Sequence, residues 1–234
     1  MSIAENLARV RERIDAAVRL SGRRSENIAV MAVSKTFPVE RIREAYDAGL
    51  RLFGENRVQE FAGKVNSIRD LHNAEWRLIG HLQTNKAAKA VELFVAVDSV
   101  DSFRLAQKLN ASALQLGKKL KILIEINVGG EAVKNGVAPD SRDLEELLLA
   151  AQELEHLEFQ GLMTIPPFTD DPLQARPFFR KLRELRDQIA ARRLPTVDMT
   201  VLSMGMSHDF EVAIEEGSTC VRLGTAIFGE RPSR

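Results

Sequence analysis

The stretch Ile28-Ala29-Val30-Met31-Ala32-Val33-Ser34-Lys35-Thr36 decides the fold. Its six apolar residues run without a polar break, which suits a strand covered on both faces, as in a parallel sheet. A lysine stands two residues past the run. Downstream, Pro38 falls where a first helical turn would begin and Gly49 where that helix would stop. Upstream, Ile3, Leu7, Val10, Ile14 and Val18 have helical spacing, and Ser2 with Glu5 has the form of a capping box.

The same strand-then-helix unit repeats along the chain. Further strand candidates lie at 51–53, 76–79, 93–96, 120–126, 157–163, 199–202 and 219–223. Helical patterns follow at about 56–68, 85–90, 102–114, 140–154 and 172–191, then from Ser207, with a short last helix. Eight βα units after one extra N-terminal helix predict an α/β fold, a closed (β/α)8 TIM barrel rather than an open doubly wound sheet. A chain of 234 residues is natural for one such barrel. The patch Ile165-Pro166-Pro167 is short and follows a strand, so it reads as a loop rather than a linker. Residues 1–234 are therefore expected to form a single domain, with no length left for a C-terminal β domain.

Composition narrows the partners. Lys+Arg and Asp+Glu both number 33, so no global field favours nucleic acid or an anionic membrane. The stretch Met1-Ser2-Ile3-Ala4-Glu5 has no secretion-signal pattern, and no apolar run nears the roughly 18 residues that span a bilayer. A cytoplasmic protein is expected. Cys220 is the one cysteine, which excludes an intrachain disulfide, and His72, His81, His156 and His208 lack metal-ligand spacing. No metal is expected.

In such barrels the chemistry sits at the C-terminal ends of the strands. Lys35 should stand there, beside apolar structure that disfavours its ammonium form and frees its amine to attack a carbonyl; a solvated loop lysine is the ordinary alternative. Phe53-Gly54-Glu55-Asn56 ends the second strand. Gly54 allows a tight turn and Asn56 offers an amide; the ordinary alternative is a plain helix N-terminus, with Glu55 a first-turn acid complementing the helix dipole. Leu78-Ile79-Gly80-His81-Leu82-Gln83-Thr84-Asn85-Lys86 follows the third, with no carboxylate near His81 in sequence. The last two strands lead into Leu202-Ser203-Met204-Gly205-Met206-Ser207-His208-Asp209 and Arg222-Leu223-Gly224-Thr225-Ala226-Ile227-Phe228-Gly229. Barrels often bind phosphate at those two loops. Gly205 and Gly224 would let the backbone approach a ligand, with Ser203, Ser207 and Thr225 adding hydroxyls; ordinary turn chemistry would use the same residues. Arg222, inside a strand, needs a partner at the mouth, either Glu125 in a salt bridge or a ligand. Lys134, beside Asn135-Gly136, is a second amine near the mouth or a solvated loop lysine.

These segments, together with Gly161-Leu162-Met163, resemble the YggS/PROSC family of pyridoxal phosphate homeostasis proteins, in order from about Ile3 to Arg231. The resemblance implies a fold-type III barrel like the N-terminal domain of alanine racemase, with pyridoxal 5′-phosphate (PLP) as cofactor. It implies that Lys35 carries the Schiff base, that Ser207, Gly224 and Thr225 meet the phosphate with Ser203 close by, that Asn56 lies near the ring and that Arg222 faces the pyridine nitrogen. His81 stands where many members have a smaller or apolar residue, which bears on cofactor access. The family is associated with vitamin B6 control, so a PLP carrier that hands cofactor to apo-enzymes is expected, and a monomer.

An arginine at the ring nitrogen donates and cannot accept a proton, which weakens the electron sink. Tyr46, the one tyrosine, falls mid-helix, away from any strand end, so no second base is in sight. No catalytic residue and no fast amino-acid turnover are expected. A PLP-dependent, racemase-like enzyme is the alternative, with a cofactor-free Schiff-base aldolase and a plain phosphate-binding barrel behind it.

Overall fold

A computed structural model describes residues 2–24, 27–131 and 134–230. Met1, Arg231 and Arg234, which bound the expected domain and resemblance, lie outside the described residues. Eight parallel strands close into one barrel in sequence order. They are β1 (Ala29–Val33), β2 (Leu52–Glu55), β3 (Glu75–Leu78), β4 (Ala96–Val100), β5 (Leu120–Glu125), β6 (Leu157–Met163), β7 (Val197–Met206) and β8 (Cys220–Leu223). The helices are α1 (Ile3–Ser21), α2 (Val39–Asp47), α3 (Val58–Lys64), α4 (Ala87–Leu93), α5 (Phe103–Gln115), α6 (Arg142–Leu149), α7 (Arg176–Ala191), α8 (Phe210–Glu215) and α9 (Thr225–Phe228). The fold is the expected (β/α)8 barrel with an added first helix.

Local chemistry explains the helix ends. Ser2 and Glu5 form the reciprocal capping box of α1, which stops at Gly22 in the left-handed conformation. Pro38 is the residue before α2 rather than in its first turn. The helical stretch expected at 56–68 is α3 continued by a 3-10 turn, Val65–Ile68, and α8 begins at Phe210 rather than near Ser207.

One strand lies beyond the apolar segment that predicts it. The apolar 93–96 segment is not β4: Leu93 ends α4, and Phe94 is buried against Phe61 at 4.8 Å between ring centroids. The strand follows as Ala96-Val97-Asp98-Ser99-Val100, all buried. Its polar pair hides it from a search for apolar runs. Burial of Asp98 is tolerable because Arg77 of β3 holds it with three hydrogen bonds, at 2.7, 2.9 and 3.1 Å.

Alternation divides the core into two layers. One face of the strands packs under the helices in a continuous apolar layer, which includes the Ile3, Leu7, Val10, Ile14 and Val18 stripe of α1. The other face fills the barrel with Met31, Val33, Ile79 and Cys220, the Arg77–Asp98 pair and, nearer the mouth, Arg222. Past the strand ends, the inward parity continues into the loops.

Candidate functional site at the barrel mouth

That parity builds a cavity of about 670 Å³ at the C-terminal ends of the strands. Lys35 follows Met31 and Val33 on the inward face of β1, and Asn56, His81 and Gly224 continue β2, β3 and β8 in the same way; all line the cavity. Ser207, Arg222 and Thr225 line it as well. Six of the eight expected site residues thus share one wall system. Gly80 is required here: a Cβ on it would sit 2.3 Å from the Asn56 carbonyl oxygen.

The other two lie elsewhere. Ser203 is fully buried, and its Oγ accepts from Arg222 at 2.9 Å, so it supports the arginine from below and does not border the cavity. Gly205, at φ +93, packs its backbone on α8, where a Cβ would stand 2.6 Å from Ala213 Cβ. Close helix packing, rather than ligand approach, explains that glycine.

Arg222 is 3% exposed. Its guanidinium donates to the Ser203 carbonyl at 2.7 Å and to the Thr164 carbonyl at 2.7 Å. These bonds, not the expected salt bridge with Glu125, hold it; burial lowers its pKa, and Glu125 acts on it only through the longer-range field. A guanidinium keeps its charge even so. Glu125 itself lines the cavity, and burial reinforced by Asp101 raises its pKa to about 7. Sequence reading named it only as a partner for Arg222.

Just past Arg222, where β8 ends, the backbone N–H groups of Gly224 and Ala226 both donate to Ser207 Oγ, each at 3.2 Å. Two main-chain donors and a hydroxyl therefore converge where β8 passes into α9, the geometry that cradles a phosphate oxygen. Asp209 accepts from the Met206 N–H at 2.7 Å and pins that loop; burial raises its pKa.

Around the rim, His81 Nδ1 meets Asp101 at 3.1 Å, a carboxylate far from it in sequence. Lys134 is tied to Glu131 at 2.5 Å and to the Pro166 carbonyl at 3.2 Å. Glu55 is not a first-turn acid: it ends β2, buried, and accepts from Ser34 Oγ at 2.7 Å. Tyr46 donates its hydroxyl to the His72 carbonyl at 2.6 Å and is not a cavity residue. Among the described residues no group of His, Cys, Asp and Glu could hold a metal ion, and no helix is long and apolar enough to cross a membrane.

Comparison with known proteins agrees with this geometry. The alanine racemase N-terminal domain family matches residues 4–232. The pyridoxal phosphate homeostasis protein of Aquifex aeolicus is 48% identical over 231 residues, 99% of each chain. That of Escherichia coli K12 is 41% identical, over 98% of this chain and 97% of its own. The structure of PipY from Synechococcus elongatus with PLP bound superposes with a TM-score of 0.84 at 37% identity, over 97% of this chain and all of that one. An alanine racemase from Clostridium difficile shares the fold at a TM-score of 0.71 and 17% identity, and this chain spans 57% of its length. A barrel with a lysine, an arginine and a phosphate-type cradle around one cavity, matched over its whole length by these relatives, places the chain in the pyridoxal phosphate homeostasis protein family, built on the alanine racemase N-terminal domain.

Proposed function

We propose that this chain holds PLP in the barrel-mouth cavity and works in pyridoxal phosphate homeostasis, the role its relatives are named for. The observation that carries the reading is one cavity lined by Lys35, Ser207, Gly224 and the buried Arg222, with the Gly224 and Ala226 N–H groups gathered on Ser207 Oγ. The fit supports it: about 670 Å³ is an ordinary volume for a cofactor site, and the adjoining ends of β1 and β8 bring an amine, a fixed cation and anion-binding N–H groups to it.

Bound there, PLP supplies a reactive aldehyde and an electron-withdrawing ring. Lys35 would provide the amine that holds the aldehyde. The Gly224 and Ala226 N–H groups, with the Ser207 and Thr225 hydroxyls, would hold the phosphate, and Asn56 would border the ring. Ser203 and Thr164 fix the Arg222 guanidinium, which donates and cannot take up a proton, so it would favour an unprotonated ring nitrogen. Such a residue set retains PLP while disfavouring racemisation. Storage and delivery of PLP to apo-enzymes, by a cytoplasmic monomer, complete the reading.

The test is the visible spectrum before and after borohydride. Wild type is expected to be yellow with PLP and, once reduced, to carry the adduct on Lys35; Lys35→Ala carries none. A protein that stays colourless with added PLP refutes the reading, and robust Lys35-dependent racemisation moves a racemase-like enzyme ahead of a carrier.

A further inference from the structure

Lys35 sits between two residues that are each tied down by a carboxylate. On one side, Ser34 donates its hydroxyl to the buried Glu55 at 2.7 Å. On the other, the Thr36 N–H donates to Glu60 Oε1 at 2.7 Å. Lys64 joins the two anchors: its ammonium lies 2.8 Å from Glu60, 3.6 Å from Glu55 and 3.4 Å from the Ser34 carbonyl. Glu60 and Lys64 both belong to α3, so that helix grips the chain on either side of the lysine.

The grip holds a conformation that the chain would not choose. Thr36 has φ +65. A β-branched residue in the left-handed region is a steric outlier and persists only when its surroundings over-determine it. The charge-assisted bond from its N–H to Glu60 is one such constraint. Burial opposes the Glu60 charge, but the hydrogen bonds from Lys64 and from the Thr36 N–H outweigh it and leave the pKa below the ordinary value. The carboxylate is charged where Thr36 needs an acceptor.

We infer that Glu60 is a positioning residue for Lys35: through the Thr36 N–H, and braced by Lys64, it keeps the strained turn that aims the lysine amine into the cavity. α3 thereby governs how long the cofactor is retained. The inference rests on the proposal that Lys35 binds PLP, and it concerns residues outside the cavity wall.

The experiment compares PLP-loaded wild type, Glu60→Ala and Glu60→Gln by loss of visible absorption after rapid dilution and by the pH midpoint of that absorption. Glu60→Ala is expected to lose PLP about tenfold faster, the rate equivalent of releasing one strained backbone conformation, and to shift the midpoint. Glu60→Gln keeps an oxygen for the Thr36 N–H and stays near wild type in both. Adding Thr36→Asn to Glu60→Ala restores much of the retention, because Asn tolerates the left-handed region. A Glu60→Ala protein with unchanged release and midpoint, or one that Thr36→Asn does not rescue, overturns the assignment. If wild type takes up no PLP, the cofactor reading fails by itself. Reductive methylation of unliganded protein with formaldehyde then decides the positioning: altered Lys35 labelling in Glu60→Ala upholds it, and equal labelling overturns it.

Discussion

Glu125 shows what burial does to a single carboxyl. Its folded-state pKa of about 7 stands above the ordinary 4.5, so the native state keeps a proton that the unfolded chain has already released. The stability linked to this proton is fully present below 4.5 and is lost as pH rises through about 7. Glu125→Gln, neutral at every pH, should match wild type near pH 4 and exceed it at pH 8.5 by up to about 3 kcal/mol. Denaturant midpoints of unliganded protein at the two pH values check this; an equal difference at both would refute it. Lys35 and Arg222 could be picked out in the sequence because each places a charge at or beside an apolar strand. Glu125 is harder to read there because its environment is assembled by Asp101 and Arg222, residues distant along the chain. The supporting roles of Ser203 and Gly205 were hidden for the same reason: both belong to a cluster with phosphate-loop composition, and only the packing shows that one braces an arginine and the other meets a helix.

Strands and helices carry the next prediction. β4 exists as a strand because Arg77 neutralises Asp98 inside the barrel. Removing one partner strands the other charge. Asp98→Ala should therefore destabilise by about 3–5 kcal/mol, while Arg77→Met combined with Asp98→Leu recovers most of the loss. Urea unfolding of the three variants gives the comparison, and a double variant as weak as the single would rule out the charge explanation. Elements with period-2 or 3.6 patterns are legible along the chain: α1 from its stripe and cap, β6 from the alternation of Leu157 and Phe159 with Glu158 and Gln160. β4 is not, since its identity depends on a cross-strand partner that no local pattern reveals. The split of the 56–68 segment into α3 and a tighter turn was likewise invisible to periodicity alone.

At the scale of the whole barrel, closure seals Cys220 inside. Cys220 is 5% exposed, and burial raises its thiol pKa to about 11. Reaction needs both thiolate and access. Labelling by an aromatic disulfide at pH 8 should be negligible in native protein and should rise with urea in step with global unfolding; fast labelling without denaturant would mean that the barrel opens locally. Closure also has a seam. β1 pairs with β8, and α1 lies across α8 and α9, with Asn6 donating to the Ile227 carbonyl at 3.0 Å and Arg13 bonded to Glu211 at 2.6 Å. The Asn6–Ile227 contact joins positions 221 residues apart. During synthesis, the apolar stripe of α1 leaves the ribosome first and its partners leave almost last. α2 emerges early enough to shield part of that stripe, but for most of translation its main cover is missing, so the nascent chain must be kept from aggregating until α8 and α9 emerge.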